Sequence, residues 1–532
     1  MKKKIKNLKE IGIVFFLAIF ATLFFIYFYK GPTAFGDDLA YVGVAYDIYT
    51  GSFKESDYIF SHRFLVNFPI AFFYFLFGPS NFSTSLWSLF CAVSTTILTY
   101  FIGSLIYNKK VGFLSALLFV FFPMVGMLAT ASGDNIPMEF FAALSVFFFL
   151  WARKENDENR KNWKYFLSGF FLSCGLLTTP QSFVMFFFFV CYAILSYALN
   201  KKVKINYSTF SFLFGSILIF VILGVYEYFT LKNPLFFFTS QINFYSRIGE
   251  IENNAYVGIP GATQDPNFYL RVMFPYSFDF SSVDRFFSTL WNDLNADTNY
   301  AGFFFYFFIL ACFFVILLKE RRSYLMILWA FSTIGYLQFG TMSFHQYIFM
   351  HRLERFLLIA AVPICVTIAI FLEKIIELKN PIKYFVFLGS IFILLYPSIK
   401  INTYFYKVNY YVKFDASNIA KALMNKSDIV VYAPSGQIEF LRLFLNFKKD
   451  INFIAFDFMK NCSEIKNNYY VVAPVSIYGL PENSPCTNWA YGDLTQKCGF
   501  RLISSSKVYE YATLHNDSQF VNPSFALNLF KT

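Results

Sequence analysis

The sequence predicts a polytopic α-helical membrane protein with about eleven transmembrane helices and a small extracytoplasmic α/β domain at its C-terminus. Of its 532 residues, 57% are hydrophobic and only 14% are charged, whereas soluble domains are usually about 25% charged. Long apolar runs recur up to residue 400 and are absent from 401–532. This composition excludes an ordinary cytosolic enzyme, a disordered tail protein and a nucleic-acid-binding protein.

Eleven apolar stretches are predicted as spans, since a helix needs roughly 20 apolar residues to cross a bilayer. The first follows MKKKIK and lacks a small-residue cleavage site, which favours a retained span over a removed leader. Two stretches separated by little more than Pro180 and Gln181 are interpreted as two spans, because one kinked span would break the charge pattern of the loops. The eleven stretches are 11–29, 83–107, 111–128, 134–151, 165–179, 182–199, 209–229, 300–318, 324–340, 354–372 and 384–400.

The charges of the loops predict the orientation in the cell membrane. With the N-terminus in the cytoplasm, six inside segments carry 21 of the 44 Lys and Arg residues, in agreement with the positive-inside rule. The outside loops 129–133 and 180–181 carry none, and the long outside loops 30–82 and 230–299 carry three and four. The net charge of +11 is thus explained by topology and does not indicate a nucleic-acid partner.

The chain is predicted to divide into a membrane domain, residues 1–400, and an external domain, residues 401–532. An odd number of spans places the second domain outside the cell membrane. Cys486 and Cys498 are candidates for a disulfide there, because that compartment is oxidising.

Helices and strands alternate in the predicted external domain. Residues 415–427 are predicted as a helix capped by Asp415, a second helix is predicted at 437–447, and the Tyr-rich segment 401–414 is expected along the membrane surface. Alternation of this kind predicts a partly parallel sheet. The predicted strands are Ile429–Ala433, Ile451–Phe456, Tyr469–Ala473 and Arg501–Val508.

Carboxylates stand at two predicted helix starts on the outside. Asp37 and Asp38 open a predicted helix that runs to Tyr49, and Asp134 stands where the fourth span begins. Each can be a helix cap or a base that takes a proton from a nucleophile. Glu139 lies one turn further in, where an unpaired carboxylate is costly, and is a possible site residue.

Basic residues stand on the same side of the predicted membrane. Arg352 and Arg355 precede the tenth span, and the first outside loop contains His62 and Arg63. The arginines can be snorkelling anchors, or they can bind a phosphate, which suits the planar guanidinium. Further possible site residues in outside loops are His345, His351, Arg247 and Arg271.

These features together resemble the glycosyltransferase C superfamily, in the branch of protein O-mannosyltransferases and lipid A aminoarabinose transferases. The resemblance rests on the acidic pair after the first span, the stretch FLVNFPIAFFYFLFG, the Asp at the fourth span and the stretch RLERFLLIAAVPICV. It implies amphipathic helices in the first outside loop and a sugar donor attached to a polyprenyl phosphate.

The resemblance also implies roles for the acidic residues. Asp37 matches the catalytic base, Asp134 matches the second functional carboxylate, and Asp38 stands where the family often has Glu. The external domain is not that of the mannosyltransferases, so the acceptor, a lipid, a glycan or a protein, stays open. No Cys or His spacing is typical of a zinc site, and a divalent metal is possible without being required.

Arg355 matches the Arg that holds the donor phosphate in the family, and Arg352, Arg63 and His62 are alternatives. The chain has His62-Arg63 where many family members have Arg-Pro or Pro-Pro. An arginine in this role supplies the positive charge that the leaving phosphate needs.

The predicted function is transfer of a hexose or pentose from a polyprenyl phosphate to an acceptor outside the membrane, with inversion at C1. A lipid-linked glycan polymerase or ligase is an alternative, for which loop 230–299 is large enough. A flippase or transporter is another, but it predicts charges midway through spans, and the span interiors are almost free of charge. The last alternative is a scaffold without enzymatic activity that displays the external domain. Replacement of Asp37 discriminates among them.

Overall fold

The computed structural model describes most of the chain, and every structural statement below concerns the described part. The described residues are 2–32, 37–56, 58–200, 207–244, 267–276, 281–295, 301–341, 352–433, 435–455, 470–474, 501–504 and 527–531.

The described chain is mainly helical, as the sequence predicts. Short 3-10 turns at Ile59–His62, Pro180–Ser182, Arg321–Ser323 and Glu354–Ala360 connect some of the helices. The α-helices are α1 Lys2–Tyr27, α2 Asp37–Thr50, α3 Phe64–Phe77, α4 Asn81–Ile106, α5 Lys109–Val120, α6 Pro123–Leu128, α7 Asn135–Arg153, α8 Glu158–Leu176, α9 Phe183–Asn200, α10 Tyr207–Leu231, α11 Phe268–Met273, α12 Val283–Leu294, α13 Phe304–Leu317, α14 Tyr324–Phe339, α15 Ala361–Glu377, α16 Ile382–Met424 and α17 Ser435–Phe444.

All eleven predicted spans coincide with helices. Seven described segments are long and apolar enough to cross a membrane: α4, α7, α10 and the major parts of α1, α9, α15 and α16. The remaining predicted spans correspond to α5 with α6, α8, α13 and α14, which are shorter or more charged. The membrane fold is confirmed, and the number eleven stays a prediction. The two helices α8 and α9 are separate, joined through Pro180–Ser182.

Ion pairs join four of the segments that are predicted to lie inside. Such pairs bring the ends of α1, α5, α13 and α15 together, so these segments share one end of the helix bundle. The pairs are Lys109–Glu10 at 2.5 Å, Lys110–Glu373 at 3.6 Å and Lys374–Glu320 at 3.2 Å.

The core of the bundle is formed around α15. This helix and the 3-10 turn Glu354–Ala360 before it make one apolar segment that is buried among the other helices. It packs against α5, α13 and α14. Since the 3-10 turn carries Arg355, the position of that side chain depends on a helix enclosed by protein.

The helix α16 differs from the prediction for this region. It runs without interruption for 43 residues, through the segment 401–414 and past Asp415, which is buried in its interior and is not a cap. No Pro or Gly stands between 398 and 424, so nothing in the sequence ends the helix there. Pro397 is tolerated inside it.

A five-stranded mixed sheet follows α16. The four predicted strands are present: the first has the predicted bounds, the third is shifted by one residue, and the second and fourth are described over fewer residues than predicted. A fifth strand near the C-terminus was not predicted. Cys486 and Cys498 lie outside the described residues. The strands are β1 Ile429–Ala433, β2 Ile451–Ala455, β3 Tyr470–Pro474, β4 Arg501–Ser504 and β5 Leu527–Lys531, in the order β2-β1-β3-β5-β4, with β1 parallel to β2 and β3 and with β5 antiparallel to β3 and β4.

Candidate active site

An ion pair joins two of the predicted site residues that are far apart in sequence. A guanidinium nitrogen of Arg355 donates a hydrogen bond to Oδ2 of Asp37, across 318 positions of the chain. Both side chains are about one-third exposed. The pair is therefore anchored in the fold and still open to a ligand.

Two further carboxylates surround this pair. Asp134 and Asp38 both lie close enough to Arg355 to interact with it electrostatically. The three acidic residues come from α2 and from the start of α7, and Arg355 comes from the turn before α15. The structure thus brings together the four residues that the sequence places in separate loops.

Asp134 stands at the N-cap position of α7, yet its side chain does not cap the helix. Its Oδ1 accepts a hydrogen bond from Nδ2 of Asn135 at 3.1 Å, and the residue is 7% exposed. A Cβ added at the preceding Gly133 would lie 3.4 Å from Oδ1 of Asp38, so this turn approaches the first carboxylate pair closely. The cap interpretation of Asp134 is wrong for its side chain.

Tyr41 lies among these charges and is a residue that the sequence analysis missed. It is buried on α2, and it interacts electrostatically with Asp134, Arg63, Asp37 and Arg355. Burial raises its pKa well above the usual value and Asp134 adds to this, while Arg63 opposes it. The hydroxyl therefore stays protonated and can donate a hydrogen bond.

Arg63 reaches the same cluster from the start of α3. It is 3% exposed, and its guanidinium donates to Oε1 of Gln241 at 3.2 Å. His62, beside it, is fully buried; its Nδ1 lies 3.3 Å from Oε1 of Glu55. The structure therefore associates Arg63 with Tyr41, and it associates His62 with Glu55.

Arg352 contacts a different part of the bundle. It is 1% exposed and donates to the backbone oxygen of Gln338 at the end of α14. Tyr269 of α11 packs here as well, with its hydroxyl 3.3 Å from the backbone oxygen of Leu353. Arg352 thus holds the segment before Arg355 in place.

Glu139 has a structural partner inside the bundle. It is fully buried, and its Oε1 accepts a hydrogen bond from the backbone N–H of Val362 at 3.2 Å. Val362 lies in the first turn of α15, where backbone N–H groups lack partners within the helix. Glu139 therefore fixes the start of the helix that follows Arg355.

Two lysines also adjoin the acidic residues, although the sequence analysis did not single them out. Lys30, at the end of the first predicted span, and Lys413, on α16, both interact electrostatically with Asp38. Lys30 could have been noticed, because it is a basic residue at the outside end of a span. Lys413 stands in a Tyr-rich segment and gives no local signal.

The other possible site residues are not part of this cluster as described. Arg271 is exposed at the end of α11, and His345, His351 and Arg247 lie outside the described residues. Within the described ranges, no group of three or more His, Cys, Asp or Glu side chains is placed to hold a metal ion.

Comparisons with known proteins identify a similar family and similar structures. Residues 61–228 match the family of dolichyl-phosphate-mannose-protein mannosyltransferases. A comparison with curated protein sequences found no match.

Solved structures share the fold over nearly the whole chain. ArnT from Cupriavidus metallidurans bound to undecaprenyl phosphate is 10% identical, with a TM-score of 0.56 and 98% of both chains covered. The oligosaccharyltransferase AglB from Archaeoglobus fulgidus, in complex with an inhibitory peptide and a dolichol-phosphate, is 11% identical, with a TM-score of 0.55 and 97% of this chain and 88% of that chain covered. Both have the fold that the sequence resemblance implies, and this chain shares that membrane-protein fold.

Proposed function

We propose that this protein transfers a sugar from a polyprenyl-phosphate donor to an acceptor on the outside of the cell membrane, by a single displacement that inverts C1. The observation that supports this most is the ion pair between Asp37 and Arg355, flanked by Asp38 and Asp134. Such a displacement needs a base at the nucleophile and a cation at the leaving phosphate, on opposite sides of C1, and this pair supplies one of each.

The chemistry assigns one role to each end. The acceptor hydroxyl or amine attacks C1 of the sugar, and its proton passes to the Asp37 carboxylate, which acts as general base. The bond between C1 and the phosphate oxygen breaks, and its electron pair stays on the phosphate. Arg355 stabilises that developing charge.

The contact between the two residues implies an order of events. A donor phosphate that binds Arg355 competes with Asp37 for the guanidinium and so releases the carboxylate to act as base. Nε of Arg355 is buried and has no hydrogen-bond partner among the described residues, so a phosphate oxygen can satisfy it. Tyr41, protonated and buried beside the pair, can donate to the sugar or the phosphate.

The polyprenyl chain requires an apolar path from the membrane. The structure contains an apolar groove of about 480 Å³ between α10 and residues 234–238. Ring contacts lead from Phe220 in this groove through Phe237 to His62, the neighbour of Arg63. This groove is our candidate for the lipid chain of the donor.

Binding and transfer test the proposal separately. Native mass spectrometry of the purified protein with added undecaprenyl phosphate should show the lipid on the wild type and on Asp37→Asn. Arg355→Ala should bind it at least about tenfold more weakly, because it loses a charged hydrogen-bond donor.

Transfer is measured as the consumption of lipid-linked sugars in membranes that contain the protein. Asp37→Asn should abolish it, whereas Asp47→Asn, an exposed carboxylate on the same helix, should leave it unchanged. Full transfer by Asp37→Asn would remove the base from the proposal, and failure of the wild type to bind any polyprenyl phosphate would remove the donor.

A further inference from the structure

Two lysine ammonium groups lie together beside Asp38. Lys30 is 7% exposed, and its Nζ lies 4.8 Å from the centre of the Phe405 ring. Nζ of Lys413 lies 4.7 Å from the centre of the Tyr29 ring. The two cations interact with each other and with Asp38, so they form one cluster, defined here as the lysine pair.

The backbone leaves room for the second of these cations. Gly31 has a φ of +63°, and a Cβ at this position would lie 2.4 Å from Oδ1 of Asn81, 2.5 Å from Nζ of Lys413 and 2.8 Å from the hydroxyl of Tyr29. The Tyr29 hydroxyl is itself held by the backbone oxygen of Asn81 at 2.7 Å. The lack of a side chain at residue 31 therefore leaves room for the Lys413 ammonium beside the Asn81 amide and the Tyr29 hydroxyl.

The charges of the lysine pair are not balanced within the cluster. Nζ of Lys413 is buried, and the described residues provide it with no hydrogen-bond partner. One carboxylate, Asp38, faces two ammonium groups. A buried charge without a partner is costly. The cost appears in the pKa of Lys413, which burial and, to a smaller extent, the neighbouring Lys30 lower to about 7 against the opposing effect of Asp38.

We propose that the lysine pair is a second anion site, separate from Arg355, and that it binds a phosphate group of one of the substrates. A phosphate dianion supplies the missing negative charge and enough oxygen acceptors for both ammonium groups. The inference rests on the proposed function, to which it adds that the reaction involves a second anionic group next to Asp38. That group belongs either to the acceptor or to the lipid-linked donor.

Direct binding tests the site without any transfer activity. The full-length protein in lipid nanodiscs is titrated with inorganic phosphate in one arm and with undecaprenyl phosphate in the other. Lys413→Gln and Lys30→Gln should each weaken phosphate binding about tenfold, because each removes one charged donor. Lys407→Gln, an exposed lysine on the same helix, is the matched control and should bind like the wild type.

The two arms identify the source of the phosphate. Loss of inorganic phosphate binding alone in the lysine variants indicates an acceptor group, and loss of undecaprenyl phosphate binding indicates the donor. Equal binding by Lys413→Gln, Lys30→Gln and Lys407→Gln in both arms would overturn the inference.

A second variant guards against misfolding, and a second readout separates this inference from the proposed function. Lys413→Arg keeps a positive charge at this position and should retain phosphate binding, so that a loss in Lys413→Gln reflects the missing charge and not misfolding. If the lysine variants bind phosphate normally while Asp37→Asn abolishes transfer, the inference fails and the proposed function stands.

Discussion

Charge compensation at single residues determines how the candidate site behaves without a substrate. Arg355 is neutralised by Asp37, whereas the lysine pair has only Asp38 in common. The pairing of Arg355 with Asp37 stabilises the protein without a substrate, whereas the incompletely compensated lysine pair destabilises it. We therefore expect an anion to gain more binding free energy at the lysine pair than at Arg355.

Stability should therefore depend on pH through the lysine pair. Burial lowers the pKa of Lys413 to about 7 and that of Lys30 to about 8, from 10.5. Between those values and 10.5 the unfolded chain holds more protons than the folded one, so the free energy of unfolding rises with pH. Lys413→Met should raise the thermal midpoint at pH 6.5, and this gain should shrink by pH 9. The measurement is a thermal unfolding series in detergent.

Lys407→Met serves as the reference in that series, because Lys407 is exposed on the same helix. Its thermal midpoint should follow the wild type at every pH. The Tyr29 hydroxyl, which also faces the lysine pair, donates to the backbone oxygen of Asn81. A gain from Lys413→Met that is the same at pH 6.5 and pH 9 would contradict the prediction.

Glu139 gives a second prediction at this scale. Glu139→Ala removes the acceptor of the Val362 N–H and should lower the free energy of unfolding by about 1–3 kcal/mol, the cost of an unmade buried hydrogen bond. Glu139→Gln keeps a side-chain oxygen and should cost much less. Thermal unfolding of the purified protein checks both, and equal midpoints for Ala and Gln would show that the hydrogen bond contributes nothing.

Single residues differ in how far they could be predicted. The cluster of Asp37, Asp134 and Arg355 was expected from a resemblance, because each lies in a short motif. Lys413 acts on a residue far earlier in the chain and is placed there by the packing of α16. No local pattern carries such information.

Among the elements, α2 connects the acidic cluster to the C-terminal part of the chain. The Tyr46 ring on α2 stacks on Phe447 just beyond α17, with ring centres 3.7 Å apart. Val42, on α2, packs against Leu443 and Phe447. Asn446 and Phe447 have φ values of 49° and 53°, which residues other than Gly rarely adopt. The strained turn presents the aromatic ring to α2.

Loss of this stack should loosen α2. Phe447→Ala removes a contact of about 0.5–1.5 kcal/mol, so amide hydrogen exchange in α2 should become roughly two- to tenfold faster. Asn446→Gly relaxes the strained turn and keeps the ring, so it should not accelerate exchange in α2. The measurement is hydrogen exchange followed by mass spectrometry, and similar rates in both variants would argue against docking through Phe447.

The helices and strands themselves were largely predictable, because the spacing of apolar residues and the positions of Pro and Gly are local features of the sequence. The predicted helix from Asp37 to Tyr49 and the separation of α8 from α9 agree with the structure. The exception is Asp415, where an acidic residue suggested a cap although the helix continues on both sides. Strand β5 was missed because Leu527–Lys531 contains no β-branched residue, and such residues favour strands.

For the whole molecule, the orientation in the membrane is the main prediction. A cysteine introduced at Ser427, exposed after α16, should react with a membrane-impermeant maleimide in intact cells. A cysteine at Asn159, exposed at the start of α8, should react only after the cells are permeabilised. The opposite pattern would reverse the predicted topology.

The global fold could be predicted only at the level of class. Hydrophobicity indicates spans, but the pairing of Lys110 with Glu373 or of Asp37 with Arg355 depends on contacts between helices that are distant in sequence. Degenerate motifs on one side of the membrane supplied the resemblance to a superfamily. They contained no information on the course of α16.

Because α16 is unbroken, a small bend within it moves the residues at its far end over a larger distance. Its 43 residues extend about 64 Å, and Lys413 stands 16 residues beyond Pro397, or about 24 Å along the axis. A bend of about 5° at that proline would move the ammonium by about 2 Å, the difference between a made and a lost hydrogen bond. Helix tilt responds to bilayer thickness, so a change in thickness that bends α16 at Pro397 would move Lys413 relative to Asp38.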